Sequence, residues 1–90
     1  LGVEVERFFI QRMKTKWGGS SPGRRTIRLN LELAKKDLEC LDYVVLHEMS
    51  HFFVPSHDHN FVALLDEFMP NWRIVRKHLN ELPLPGELDK

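Results

Sequence analysis

The sequence predicts an α+β fold in which a small antiparallel β-sheet packs on one helix and two further helices follow. Three observations predict this arrangement. Apolar and polar residues alternate in two segments of the first third of the chain, apolar residues recur at helical spacing in the rest, and glycine and proline mark the boundaries. Because the chain has 90 residues, we expect one domain, residues 1–90, with a small core.

Two strands are predicted in the first third of the chain. Residues 3–13 are rich in β-formers and alternate in part, and residues 26–31 alternate throughout. We expect the two strands to lie in one antiparallel sheet. The core face of the second strand would carry Ile27, Leu29 and Leu31. Residues 17–23 between the strands are dense in Gly, Ser and Pro and therefore predict a loop.

The first predicted helix covers about residues 38–53. Asp37 is placed to act as its N-cap, because a carboxylate there accepts hydrogen bonds from the first backbone N–H groups. Pro55 disfavours the helical conformation of Val54 and therefore ends the helix. The broad apolar face predicts burial on most sides. It consists of Leu41, Val44, Val45, Met49, Phe52 and Phe53.

Two shorter helices are predicted after this break. One covers about residues 60–68, and the other begins at Pro70 and continues until Pro83, because both carry apolar residues at helical spacing. Beyond Pro83 we expect an extended tail. The other residues that we expect to pack in the core are Trp17, Cys40 and Trp72.

The first helix carries a motif with a chemical meaning, His47-Glu48-Met49-Ser50-His51. Residues four positions apart lie on one face of a helix, so both imidazoles can reach a single metal ion. Glu48 lies about 100° around the helix from His47, where it can contact a water on the metal without binding the metal itself. The motif therefore predicts a hydrolytic zinc site.

A catalytic zinc ion usually takes three protein ligands and leaves a fourth position for water, so a third ligand is needed. The chain can return toward the ion after the break at Pro55, where His57 and His59 both lie. The residues alone do not decide whether His57 or His59 is the third ligand. His78 lies on the third predicted helix beside Arg76 and Lys77, which predicts a surface position.

The spacing H-E-x-x-H-x5-H resembles that of the YgjP-like metal-dependent hydrolases, relatives of the SprT-like metallopeptidases within the zincins. The resemblance covers nearly the whole chain. It is carried by residues 12–18, 27–31 and 43–51 and by His57, Phe61, Met69, Pro70 and Trp72. The chain departs from the family pattern after Trp17-Gly18, where Ser-Cys is usual and Gly19-Ser20-Ser21 stands here.

The resemblance implies a zincin-like fold with His47, His51 and His57 as ligands of Zn²⁺ and Glu48 as general base and acid. It implies a zinc-dependent peptidase in which the metal lowers the pKa of its water toward ~7 and Glu48 takes the proton. The substrate would be a peptide or protein, which could add as a strand to an exposed sheet edge. The family's upstream β-rich segment is absent, so we expect a fragment. The candidates for stabilising the oxyanion are Tyr43, His59 and Arg73.

Charge is distributed unevenly along the chain. The first 36 residues hold nine Lys and Arg against three Asp and Glu, and the remainder holds four against ten. An alternative function is therefore a catalytically idle, zinc-stabilised module that binds protein or DNA through Arg24, Arg25 and Arg28. The complete motif favours the enzyme, because a structural zinc site usually has four protein ligands and no use for Glu48.

The cellular location is predicted from what the sequence lacks. It contains a single cysteine, no signal-peptide layout and no apolar run long enough to span a bilayer. These features predict a cytoplasmic protein with no membrane partner, and they leave its oligomeric state open.

Overall fold

The computed structural model describes residue 2 and residues 4–81, which contain three strands, one 3-10 helix and three α-helices. The strands are β1 (Arg7–Gln11), β2 (Gly18–Ser21) and β3 (Thr26–Asn30). The 3-10 helix spans Leu31–Lys35, and the α-helices are α1 (Leu38–Ser50), α2 (His59–Phe68) and α3 (Trp72–Asn80). The α+β class is therefore confirmed. The start of the first predicted strand, the end of the third predicted helix and the tail lie outside the described residues.

The three strands form one mixed sheet in the order β1-β3-β2. β3 pairs in parallel with β1 and antiparallel with β2, so that Phe9 and Gly19 both lie opposite Arg28. The predicted antiparallel pairing of the first strand with residues 26–31 is therefore wrong. The reason is β2, because this additional strand reverses the chain once more before β3 and leaves β1 and β3 running in the same direction.

β2 lies where the composition predicted a loop. A Cβ atom built on Gly18 would lie 2.8 Å from Cγ1 of Val44 and 3.1 Å from the carbonyl oxygen of Arg28. Glycine at this position therefore lets β2 approach both α1 and β3 closely. The loop predicted over residues 17–23 is wrong where β2 lies and correct for the turn that joins β2 to β3.

Asn30 ends β3 and fastens the segment between β1 and β2. Its side chain is buried and donates from Nδ2 to the carbonyl oxygens of Met13, at 2.8 Å, and Lys16, at 2.7 Å. Its Oδ1 accepts from the backbone N–H of Glu32 at 3.0 Å, and its own backbone N–H donates to Trp17 at 2.9 Å. A buried amide with these partners holds the connection in one conformation.

α1 has 13 residues and ends earlier than the predicted 38–53. Asp37 occupies the N-cap position as predicted, but its side chain makes no capping hydrogen bond. Its Oδ2 lies instead 3.1 Å from Nε2 of His78, a residue that is exposed as predicted. The helix stops at Ser50, whose hydroxyl donates to the carbonyl oxygen of Leu46 at 2.8 Å, and a turn follows.

α1 lies at the centre of the core, because it packs against β2 and β3 of the sheet and against α2 and α3. Trp17, Cys40 and Trp72 are 1%, 0% and 8% exposed, which confirms that they pack in the core. Burial raises the pKa of the Cys40 thiol. Leu31 is 46% exposed, because the 3-10 helix begins there and turns it away from the face shared by Ile27 and Leu29. Within the described residues, no helix is long and apolar enough to cross a membrane.

Replacement of Gly18 by alanine is expected to lower the free energy of unfolding by about 1–3 kcal/mol, because the added methyl group overpacks Val44 and the β3 backbone. Gly19→Ala is the matched control. A Cβ atom there meets nothing within 4 Å, so the expected change is less than about 0.5 kcal/mol. Urea unfolding of the two variants gives the measurement. If Gly18→Ala and Gly19→Ala lowered the free energy of unfolding equally, the close approach of β2 to α1 would not require glycine at position 18.

Candidate metal centre

α1 carries His47, and His51, the C-cap residue of the helix, follows four positions later on the same side. Their ring centroids lie 5.0 Å from each other, and the two residues are 3% and 9% exposed. The helical arrangement that the motif predicts is therefore present, with both imidazoles held inside the protein.

After α1 the chain turns back at Pro55 and brings His57 to the other two imidazoles. Nε2 of His57 lies 3.2 Å from Nε2 of His47, and the ring centroids of His57 and His51 are 4.7 Å apart. One potential ligand atom from each of the three residues lies within 4.8 Å of the others. Among the described residues, His59 does not belong to this group; it is exposed at the start of α2.

The spacing of the three imidazoles fits a metal ion. Two nitrogen ligands of a tetrahedral zinc, each about 2.0–2.1 Å from the ion, lie about 3.3 Å apart. The observed distance from His47 to His57 is 3.2 Å. Nδ1 of His51 lies 3.2 Å from the carbonyl oxygen of Val54, and a neutral imidazole that donates there keeps Nε2 for an ion. Imidazole donors suit zinc and several other transition metals.

Phe61 packs against all three imidazoles. Its ring centroid lies 4.9 Å from His47, 4.7 Å from His51 and 4.9 Å from His57, and its side chain is buried. The aromatic ring therefore gives the cluster an apolar support. Phe61 is among the residues that carry the family resemblance, but no role beside the histidines was predicted for it. Its position four residues after His57 was the available signal for a role beside the histidines.

Asp58 determines where α2 begins and so helps to place His57. Its Oδ1 accepts hydrogen bonds from the backbone N–H groups of Phe61, at 3.3 Å, and Asn60, at 3.0 Å. These hydrogen bonds, first that of Phe61, lower the pKa of the Asp58 carboxyl from its usual value. Because Asp58 directly follows His57, the same residue caps α2 and limits the positions open to the third imidazole.

Glu48 lies on the side of α1 that faces β2. It is 0% exposed, and its Cγ lies 3.4 Å from the place that a Cβ atom of Gly18 would take. The residue follows His47 directly, yet the helix turns the two side chains about 100° apart. Glu48 is therefore next to the histidine cluster without belonging to it.

Tyr43 supports His47 from the preceding turn of α1. The two rings meet edge to face with centroids 5.9 Å apart. Tyr43 also stacks on Trp72, at 6.4 Å with the ring planes 4° apart. Burial raises the pKa of Tyr43 to about 12, so its hydroxyl stays protonated at neutral pH.

Arg73, another candidate for the oxyanion, is engaged elsewhere. Its Nη1 lies 3.0 Å from Oδ1 of Asp66, and its guanidinium lies 4.4 Å from the centroid of the Trp72 ring. The same Asp66 oxygen accepts from the indole N–H of Trp72 at 2.7 Å. Of the three oxyanion candidates, Tyr43 lines a pocket together with His47 and His57.

Two pockets meet at the histidines. The basic cleft is an open cavity of about 1130 Å³ whose lining includes Lys16, Gly19, Ser20, Arg28, His51 and His57. The apolar pocket has a volume of about 370 Å³. It is lined by Tyr43, His47, His57, Phe61, Val62, Leu65, Trp72 and Arg76. His57 borders both pockets, so a ligand in either one can reach the cluster.

Comparison with known proteins gives a family and a fold. The family model described as YgjP-like, metallopeptidase domain matches residues 1–82. The metallopeptidase zymogen of Pyrococcus abyssi abylysin is 17% identical, with a TM-score of 0.81 over 92% of this chain and 82% of its own. The metallopeptidase zymogen of Methanocaldococcus jannaschii jannalysin is 26% identical, with a TM-score of 0.71 over 90% of this chain and 82% of its own. These likenesses confirm the zincin-like fold. No curated protein matches the chain.

Replacement of Asp66 tests the hydrogen bond that its carboxylate accepts from the indole N–H of Trp72. Asp66→Ala is expected to lower the melting temperature more than Asp66→Asn, because asparagine keeps an oxygen that accepts from the indole N–H. The hydrogen bonds from Trp72 and then Arg73 lower the pKa of Asp66 from 3.8. The stabilisation by the ionised carboxylate is therefore complete above the unfolded-state pKa and is lost as the pH falls through the lower folded-state value.

Melting temperatures measured between about pH 7 and about pH 2 should show this loss. The difference in melting temperature between the wild type and Asp66→Asn should shrink only when the pH falls below 3.8, the pKa of the carboxyl in the unfolded chain. Glu67→Gln removes the neighbouring exposed carboxylate and serves as control. If the melting temperatures of Asp66→Asn and Glu67→Gln changed with pH in the same way relative to the wild type, the role given to Asp66 would be wrong.

Proposed function

Because the chain belongs to the family of YgjP-like metallopeptidase domains, we propose that it is a zinc-dependent peptidase. In this proposal His47, His51 and His57 bind the metal, and Glu48 is the general base. The observation that carries it is the cluster of three ring nitrogens within 4.8 Å of one another beside a buried carboxylate. Three protein ligands are what a catalytic zinc ion usually takes.

Zinc at this cluster would supply a Lewis acid that polarises a peptide carbonyl and lowers the pKa of a water. The protein's own contribution begins with the imidazoles. His51 is oriented by the Nδ1 contact with Val54, and Phe61 packs against all three rings. A ring held in this way presents the same nitrogen in the same direction, which limits the reorganisation that binding requires.

Glu48 is proposed to move the proton. Its carboxylate accepts a proton from the attacking water and returns it to the amine that leaves when the peptide bond breaks. The position of Glu48 supports this role, because it follows His47 on α1 and is held against β2 with no exposed surface. A buried carboxylate next to a cluster of metal-binding type is where general bases are commonly found.

The substrate is proposed to be a peptide or an unfolded protein in extended form. β2 is at the end of the strand order β1-β3-β2, and Gly19 and Ser20 of this strand line the basic cleft beside His51 and His57. An extended peptide can pair with an edge strand through backbone hydrogen bonds, which suits a site that reads the main chain. Small side chains on β2 leave space for such a strand.

The alternative, an idle zinc-stabilised module, has less support. A closed structural site usually has four protein ligands. Within the described residues the cluster contains three histidines, and His59 is exposed outside it. Arg28 lines the basic cleft, so its charge is as well placed for a peptide in the cleft as for DNA.

Metal analysis tests the ligand assignment. The purified chain is expected to bind about one zinc per molecule, and His51→Ala is expected to lower zinc occupancy at least about tenfold, because a ligand is removed. His59→Ala is the matched control and should retain zinc, since His59 lies outside the cluster. Full occupancy in His51→Ala would exclude His51 as a ligand.

Glu48→Gln tests the general base. The variant is expected to keep its fold and its zinc and to lose hydrolysis of peptides by about 10²–10⁴-fold, because glutamine cannot accept the proton. Glu39→Gln removes an exposed carboxylate from the same helix and should retain activity. Cleavage of a broad peptide library, followed by mass spectrometry, gives the measurement. A zinc-loaded wild type that cleaves no peptide in the library would favour the idle module.

A further inference from the structure

The apolar pocket lies directly beside the histidine cluster, since His47 and His57 form part of its wall. Its volume of about 370 Å³ is near the lower end of the range of about 300–1,000 Å³ found for ligand pockets. It therefore suits one residue of a peptide better than an extended segment. Val62, Leu65 and Trp72 line it with apolar surface, which favours a large aliphatic or aromatic side chain.

Arg76 adds a positive charge to the otherwise mainly apolar and aromatic wall of this pocket. It is half-buried on α3 and lines the pocket together with Tyr43. Within the described residues, Arg73 of α3 forms an ion pair with Asp66, and His78 of the same helix lies 3.1 Å from Oδ2 of Asp37. Arg76 has no such pair among the described residues. The pocket thus combines apolar walls with one cation, a pattern that suits a ligand carrying a negative charge.

We propose that the apolar pocket binds the C-terminal residue of the substrate, with its apolar side chain against Val62, Leu65 and Trp72 and its terminal carboxylate at Arg76. The inference rests on the proposed peptidase function. A guanidinium binds a carboxylate through two parallel hydrogen bonds, whereas it repels the ammonium group at the other end of a peptide. The preceding residues of the substrate then lie toward the basic cleft, which also reaches His57.

The substrate class follows from this arrangement. Peptides with a free C-terminus and a large apolar last residue are preferred, and the last peptide bond is the one that breaks. One water is consumed: its oxygen forms the new carboxyl group of the shortened peptide, and its protons leave on that group and on the amine of the released amino acid. No other co-reactant is needed.

The kinetic test compares peptides that differ only at the last residue. Zinc-loaded wild type is expected to cleave a peptide ending in Phe with a free carboxylate on the order of tenfold faster in kcat/KM than the same peptide ending in Phe amide. Arg76→Gln should reduce this ratio to about one. Lys77→Gln removes the neighbouring exposed charge of α3 and should retain the ratio. A peptide with a C-terminal Asp amide distinguishes a side-chain carboxylate from the terminal one and should be cleaved slowly.

A binding test separates this inference from the peptidase function. N-acetylphenylalanine should shift the NMR signals of Val62 and Leu65 in the zinc-free chain, and N-acetylphenylalaninamide should bind on the order of tenfold more weakly. The difference should disappear in Arg76→Gln and persist in Lys77→Gln. Selective binding without cleavage of any peptide would support the pocket and overturn the peptidase. Cleavage with no preference for the free carboxylate, and with Arg76→Gln equal to Lys77→Gln, would overturn the pocket assignment.

Discussion

The close packing of α1 on β2 at Gly18 is the contact on which the geometry of the site depends. Val44 and Glu48 lie one helical turn apart on α1, and both approach the position of a Cβ atom on Gly18. With this face of α1 fixed against the sheet, the face about 100° away is fixed as well. That face carries Tyr43 and His47. One contact between a helix and a glycine thus sets the directions of Glu48, the proposed general base, and of His47, a proposed metal ligand, together.

The features predicted from the sequence are those that depend on neighbours along the chain. The helix with His47 and His51 followed from apolar periodicity and from Pro55, and the pairing of the two imidazoles followed from their spacing. β2 could not be predicted in this way, because its composition favours a turn and only its contact with α1 makes glycine suitable there. The chain reverses its direction between successive strands. A prediction without β2 therefore also gives the wrong direction for β1 relative to β3.

Other features depend on residues that are distant in sequence, and no local pattern indicates them. Asn30 looks like a polar strand residue, yet it binds two carbonyl groups of the segment before β2. Phe61 has the spacing of any core residue of a helix, yet its ring touches all three histidines. The choice between His57 and His59 likewise required the position of α2, because two residues of separation place one imidazole in the cluster and leave the other in solvent.

The thiol of Cys40 can report transient opening of the core of the folded chain. It is the only cysteine in the sequence, it is fully buried, and burial raises the pKa of its thiol. The thiolate is the nucleophile that attacks an alkylating reagent, so Cys40 reacts only when the core around the first turn of α1 transiently opens and exposes its sulfur. The rate of alkylation under native conditions therefore measures the free energy of that local separation. Because the same helix carries the histidines, this single thiol reports the rigidity of the scaffold that holds the site.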